Sequence, residues 1–287
     1  MTHFRLGSLA MAAILAMSAP AVAGAGQKMK AVSADPVIAA ERAFAARHEQ
    51  VPVKQAFLEY SAPDGVAVTA EGVKNVKEYL ATWPDQSNPG FIKWWPTMAG
   101  VAQSGDLGFT TGPASYDGGK AYSEYFTVWK KQADGSWKWL MDQGTRPRKA
   151  ASEPTSDVFT VPVSTVKPMK TEKAWAALEA ADKALGQAPA ADAATAAHYA
   201  PEVRLLGYKA LPANGLDAAR PVLAGRAADL KTEIKGGGVS AAGDLGFTYG
   251  VASWTNEKGE AKKGPYLRVW QRRAQGWLVL VENVNPF

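Results

Sequence analysis

Apolar residues recur at helical spacing behind an Asp35-Pro36 start, with Val37, Ile38, Phe44 and Ala45 on one stripe, which predicts an amphipathic helix. A second short helix is predicted over Lys54 to Tyr60, then a strand (Val66 to Thr69), a helical turn (Val73 to Leu80) and a strand region from Phe91 to Gln103. Further on the pattern alternates with period two: Tyr125, Thr127 and Trp129 share one strand face, and Phe126 and Val128 the other. Asp117-Gly118-Gly119 and Asp134-Gly135 read as hairpin turns, and Trp137 to Asp142 as a closing strand.

The same order is then written a second time. Trp175, Leu178, Ala181 and Leu185 repeat the helical stripe from Thr171, followed by Val203 to Gly207, Leu216 to Leu223, Leu230 to Ser240 and a closing strand from Trp277 to Asn283. An offset of 138 carries GDLGFT at Gly105 onto GDLGFT at Gly243, and Ala62-Pro63 onto Ala200-Pro201; YFTVWKK at Tyr125 matches YLRVWQR at Tyr266 at an offset of 141. A unit this long is a duplicated domain and not a solenoid repeat. Helices followed by an antiparallel meander predict an α+β fold: two tandem cone-shaped domains, each with N-terminal helices packed on a strongly bent antiparallel sheet. The expected boundaries are 30–146 and 169–287, joined by a Pro-rich linker, 147–168, in which Phe159 to Val163 suits an edge strand.

Residues 1–23 combine Arg5, an apolar run from Leu6 to about Ala19, and Ala21-Val22-Ala23 as a small-x-small cleavage site. This predicts a signal peptide cleaved near Ala23 and a periplasmic or secreted protein with no membrane association after cleavage. The run is shorter than the ~20 apolar residues of a spanning helix and is broken by Gly7, Ser8, Ser18 and Pro20. The chain has no cysteine, which excludes disulfides, thiolate chemistry and a lipid-bearing Cys. A net charge of +5 spread over both halves, with no basic stripe interleaved by aromatics, argues against nucleic acid as a partner.

Tyr-Ala-Pro in HYAPEVRLL, the GDLGFTYG strand and the closing x-V-W-(K/Q)-(K/R)…G-x-W resemble the SnoaL-like, nuclear transport factor 2-like superfamily, with the nearest likeness to its secreted bacterial branch of domains of unknown function. The resemblance implies a bent sheet wrapped around helices with an apolar pocket at the open end of the cone. Its members include steroid isomerases, polyketide cyclases, dehydratases, epoxide hydrolases and plain binding modules, so the fold does not choose an activity. Many members pair through their outer sheet faces. A tandem chain is therefore expected to be a monomer holding an intramolecular pseudo-dimer.

Isomerases of that fold place a carboxylate inside the cone with a Tyr opposite. Here an acid stands five residues after the Trp of each closing strand, Asp142 and Glu282. With Tyr125 and Tyr266 pointing inward, each cone would hold an acid and a phenol, and Asp142 with Tyr125 would be the catalytic pair. The alternative, preferred from position alone, leaves both acids near strand ends, in water or paired to a nearby Arg or Lys. Trp94, Trp95 and Trp139 suit an aromatic wall for a planar ligand, although core filling is the commoner role of large aromatics. Tyr249, Tyr266, Arg268 and Glu282 are the candidate ligand contacts of the second unit. Arg268 replaces Thr127 and Tyr249 replaces Thr111 at matched positions, so only one cone, if either, is expected to bind, the other being a structural partner. No metal site is expected, because His48 and His198 lack convergent ligands, and no motif calls for a cofactor. The expected function is binding of a small apolar or aromatic molecule; a cofactor-independent isomerase or lyase, and a periplasmic protein-interaction module, are the alternatives.

Overall fold

Pro36 opens the first helix where its missing N–H costs nothing, and Asp35 in the first turn suits the helix dipole. The computed structural model of the protein describes Met1 and residues 31–84, 88–188, 193–207 and 211–285. The expected signal peptide, Met1 apart, lies outside the described residues. Val32–Phe287 forms one compact unit that carries both repeats. Among the described residues no helix is long and apolar enough to cross a membrane.

The first repeat contains α1 (Asp35–His48), α2 (Val53–Tyr60), β1 (Val66–Thr69), β2 (Gly72–Asn75), α3 (Val76–Ala81), β3 (Ile92–Trp94), β4 (Met98–Val101), β5 (Leu107–Tyr116), β6 (Ala121–Lys131) and β7 (Trp137–Gly144). The connecting segment supplies β8 (Phe159–Thr160). The second repeat contains α4 (Thr171–Gln187), β9 (Tyr199–Leu206), β10 (Ala213–Asn214), α5 (Leu216–Ala224), β11 (Lys231–Val239), β12 (Leu245–Thr255), β13 (Ala261–Arg273) and β14 (Gly276–Val284). One sheet runs β7-β6-β5-β4-β8 with β3 also on β5; the other runs β10-β9-β14-β13-β12-β11. Two readings of the pattern change in detail. Val73 belongs to a strand, with the helix starting only at Val76, and the strand region from Phe91 breaks in two at Trp95 to Thr97.

Three apolar cores result. One fills the first cone, where α1 lays Val37, Ile38 and Phe44 against Trp94, Trp129 and Trp139. Another fills the second cone, where Ala174, Leu178 and Leu185 of α4 meet Trp270 and Val279. The third is a seam between the sheets: Phe109, Phe126, Val128 and Leu140 of one pack with Phe247, Leu267, Val269 and Leu280 of the other.

The repeated GDLGFT acquires a role at every position. Gly105 and Gly243 turn the chain at φ 65° and 62°. Each Asp reaches across the seam, so that the Asp244 carboxylate accepts the Gln103 N–H (3.0 Å) and the Asp106 carboxylate accepts the Ala241 N–H (2.9 Å). The two bonds are reciprocal, each half's Asp accepting from the other half's backbone. The Leu and Phe residues fill the seam. Gly108 and Gly246 let the helices close in, since a Cβ there would stand 2.7 Å from Val37 and 2.5 Å from Leu178. Thr110 and Thr248 turn inward to the acids of α1 and α4.

Candidate functional site

Both closing strands carry a β-bulge at the same place. The pairing of β6 with β7 slips between Val128 and Trp129, and that of β13 with β14 between Val269 and Trp270. The extra residue breaks the alternation of faces. Trp139 points into the cone, Leu140 and Met141 both face the seam, and Asp142 points into the cone again. Val279, Leu280, Val281 and Glu282 repeat this order. A bulge thus aims each acid into its cone instead of leaving it in water at a strand end, and Glu282 is paired there with Arg268 and Arg226, as the positional reading allowed.

The first cone holds a cavity of about 380 Å³, within the usual range for small-ligand sites. Phe44, Phe57, Trp83, Trp94, Trp139 and Tyr116 line it with aromatic surface, and among the described residues no Lys or Arg does. Its polar end consists of Ser123, Tyr125, Asp142 and Gln143. Asp142 accepts a hydrogen bond from Thr127 Oγ1 at 2.6 Å, directly across the β6–β7 pair. Loss of water around its carboxylate, with the carboxyl of Glu41 nearby and only Thr127 to offset them, pushes its pKa up to about 7. Burial, then Glu41 and Asp142, raise the Tyr125 phenol well above its ordinary value. Thr110 lies close enough to the Tyr125 phenol to offset part of that rise, and among the described residues the Trp139 indole N–H and the Gln143 Oε1 have no hydrogen-bond partner.

Behind this wall lies Glu41, fully buried on α1. It accepts from Trp94 Nε1 (2.6 Å), Trp129 Nε1 (3.1 Å) and Thr110 Oγ1. Burial raises its pKa against the lowering effect of those three bonds. Glu41 thereby fixes the Trp94 ring that forms one side of the cavity. Sequence reasoning passed over it, although one signal was there: an acid four residues after Val37 interrupts the apolar stripe of α1, just as Asp182 follows Leu178 in α4.

At matched positions the second cone is filled. Arg268, only 2% exposed, stands where the first cone has Thr127. Its Nε donates to Glu282 (2.6 Å), its Nη1 donates to Asp182 (2.8 Å), and its guanidinium lies 4.6 Å from the Tyr266 ring centroid. The Tyr266 hydroxyl donates to Asp182 at 2.6 Å; Tyr199 and Arg226 complete the bonds to Glu282. Burial alone would raise Glu282, but Arg226 and Arg268 outweigh it and hold the carboxyl at about 2. Tyr266, Arg268 and Glu282 thus come together as a buried, charge-balanced plug.

The remaining candidates fall outside the cones. Tyr249, expected as a ligand contact of the second unit, lines a cavity at the seam instead. Trp95 sits in the break between β3 and β4 and does not line the first cavity. His48 is buried, with Nδ1 3.1 Å from the Val51 carbonyl and Nε2 accepting the Ile92 N–H. Among the described residues no group of three His, Asp or Glu side chains is placed to hold a metal.

No family model and no curated protein matches the chain. Solved structures similar to it include proteins described as nuclear transport factor 2-like. A ketosteroid isomerase-like protein from Erwinia carotovora atroseptica is 22% identical over 41% of this chain and 93% of its own, with a TM-score of 0.31. A nuclear transport factor 2-like protein of unknown function from Shewanella oneidensis MR-1 is 15% identical over 40% and 97%, at 0.31. The epoxide hydrolase/cyclase-like enzyme SalBIII is 13% identical over 40% and 92%, at 0.32. These likenesses concern the fold alone.

Proposed function

We propose that the first cone binds a small, uncharged, planar molecule with a carbonyl or hydroxyl group and exchanges a proton with it through Asp142, as a cofactor-independent isomerase or lyase. The observation that carries this reading is the contrast between the two cones. Glu282 is neutralised by Arg268 and Arg226, while Asp142 meets only Thr127 and opens onto an aromatic cavity. A carboxyl titrating near neutral pH is matched to taking up and giving back a proton at carbon. In the proposed step Asp142 takes a proton from a carbon next to the ligand carbonyl, the electron pair moves to that oxygen, and the Tyr125 O–H donates to it. The proton then returns at a second carbon. A cavity without cations disfavours carboxylate and phosphate ligands, because an unpaired anion there would lose its hydration uncompensated.

Plain binding is the second reading. It rests on the same aromatic walls and needs no proton transfer. A periplasmic or secreted location and a monomeric state, with each sheet partnered inside the chain, belong to the same proposal.

Two measurements test it. Native mass spectrometry of the purified protein looks for a retained small molecule. Deuterium incorporation from solvent into planar conjugated ketones, followed by NMR, looks for the proton exchange. The protein is expected to label a ketone that it binds, and Asp142→Asn to stop labelling while keeping affinity. Labelling that survives Asp142→Asn would remove the enzymatic reading, and failure of every planar ligand to bind would remove both.

A further inference from the structure

The two sheets are equivalent in register but not in what covers their edges. Met98 and Ala99 of β4 pair with Thr111 and Thr110, as Gly236 and Gly237 of β11 pair with Tyr249 and Thr248, all at the offset of 138. The outer edge of β4 is closed by the connecting segment, which runs parallel to it. There the Phe159 N–H donates to Thr97 O (2.9 Å) and the Val161 N–H to Ala99 O (2.8 Å). Val161 is buried in the seam core, and Gln271 Nε2 holds the Pro162 carbonyl at 2.9 Å.

At the matching place on the other side, β11 is the last strand of its sheet and no described residue pairs with its outer edge. The carbonyls of Lys235 and Gly237 correspond to the acceptors Thr97 and Ala99. Beside this edge, where the counterpart of Val161 would sit, lies a seam cavity of about 240 Å³. Gly238, Phe247, Leu107 and Leu140 are among its walls, and Lys130 occupies the place of Gln271 at its rim, bonded to Asp64 at 2.7 Å.

We propose that the β11 edge and the seam cavity form a strand-acceptor site for an extended peptide of another protein, added parallel to β11 with a β-branched apolar side chain inserted in the cavity. The seating of the chain's own Phe159-Thr160-Val161 on the equivalent edge specifies that occupant: main-chain N–H groups for the two carbonyls, and one apolar side chain for the Leu107, Leu140 and Phe247 side of a space whose other walls carry Asp64, Asp106 and Lys130. An acid at the inserted position would be disfavoured, since it would face the Asp64 and Asp106 carboxylates that also line the cavity, with Lys130 already bonded to Asp64.

The probe is a synthetic peptide of the sequence Asp157 to Ser164, fluorescently labelled at its N-terminus and titrated against the full chain, with amide hydrogen exchange to locate it. Saturable binding with a Kd of about 1 mM or tighter is expected, with new protection at 235–239 and none at 98–101. The same peptide carrying Val161→Asp should bind at least tenfold more weakly. Lys130→Gln in the protein, which copies the Gln271 side, should tighten binding severalfold. Absence of saturation, equal binding of the Val161→Asp peptide, or protection that leaves out 235–239 would each overturn the proposal.

Discussion

Asp142 and Glu282 show how one neighbour decides what an acid inside a cone does. Glu282 faces Arg268 and is a structural ion; Asp142 faces Thr127 and becomes a carboxyl that titrates near neutral pH. The raised folded-state value has a consequence for stability. The native protein keeps a proton on Asp142 between about pH 4 and pH 7, where the unfolded chain, with an ordinary carboxyl near 3.9, has lost it. The contribution is therefore fully present below about pH 4 and disappears as pH rises through 7. Asp142→Asn stays neutral throughout, so its stability relative to the parent should rise from pH 4 to pH 8 by on the order of 2 kcal/mol, allowing for solvent in the cavity. Urea denaturation at both pH values checks this, and a pH-independent difference would place Asp142 in water. In the other cone, Arg268→Thr should cost about 3–5 kcal/mol by leaving Asp182 and Glu282 buried with one cation between them. Chemical denaturation reads that loss directly.

Much of the architecture was written in the periodicities, because helix stripes and strand alternation follow from which face is buried. The stripe of α1, the shared face of Tyr125, Thr127 and Trp129, and the doubled GDLGFT could be read without coordinates. The orientation of Asp142 could not. Strict alternation from Trp139, which faces the cone, would put Asp142 on the opposite side; the bulge at Leu140 reverses that, and a bulge has no signature in this stretch of sequence. Glu41 was missed for a related reason: an acid on a helix is ordinarily solvated, and only the converging Trp94, Trp129 and Thr110 make a buried one tolerable. The close approach of helix to sheet gives a further expectation. Gly108→Val would drive a side chain into Val37 and the Gly100 carbonyl, and should destabilise the protein by about 1–3 kcal/mol, measurable as a lowered urea midpoint.

At the scale of the whole molecule, matched halves frame an asymmetry. The seam, with its reciprocal Asp106 and Asp244 bonds, treats the halves alike. Glu124 departs from that symmetry: it accepts from Arg148 of the connecting segment and from Arg204 of the second half, at 2.6 and 2.5 Å, and ties the back of the first cone to its partner. The first cone keeps an open aromatic cavity, while the second is filled by its ion network. The substitution Thr127→Arg, which copies the second cone into the first, should place a guanidinium between Asp142 and Glu41, fill the cavity and abolish ligand binding. The most direct test is a carbon-13 NMR titration of the Asp142 carboxyl in the parent protein and in Thr127→Arg. A midpoint near 7 in the parent, falling below about 4 in the variant, is the predicted result; an ordinary carboxylate midpoint in the parent would contradict the account.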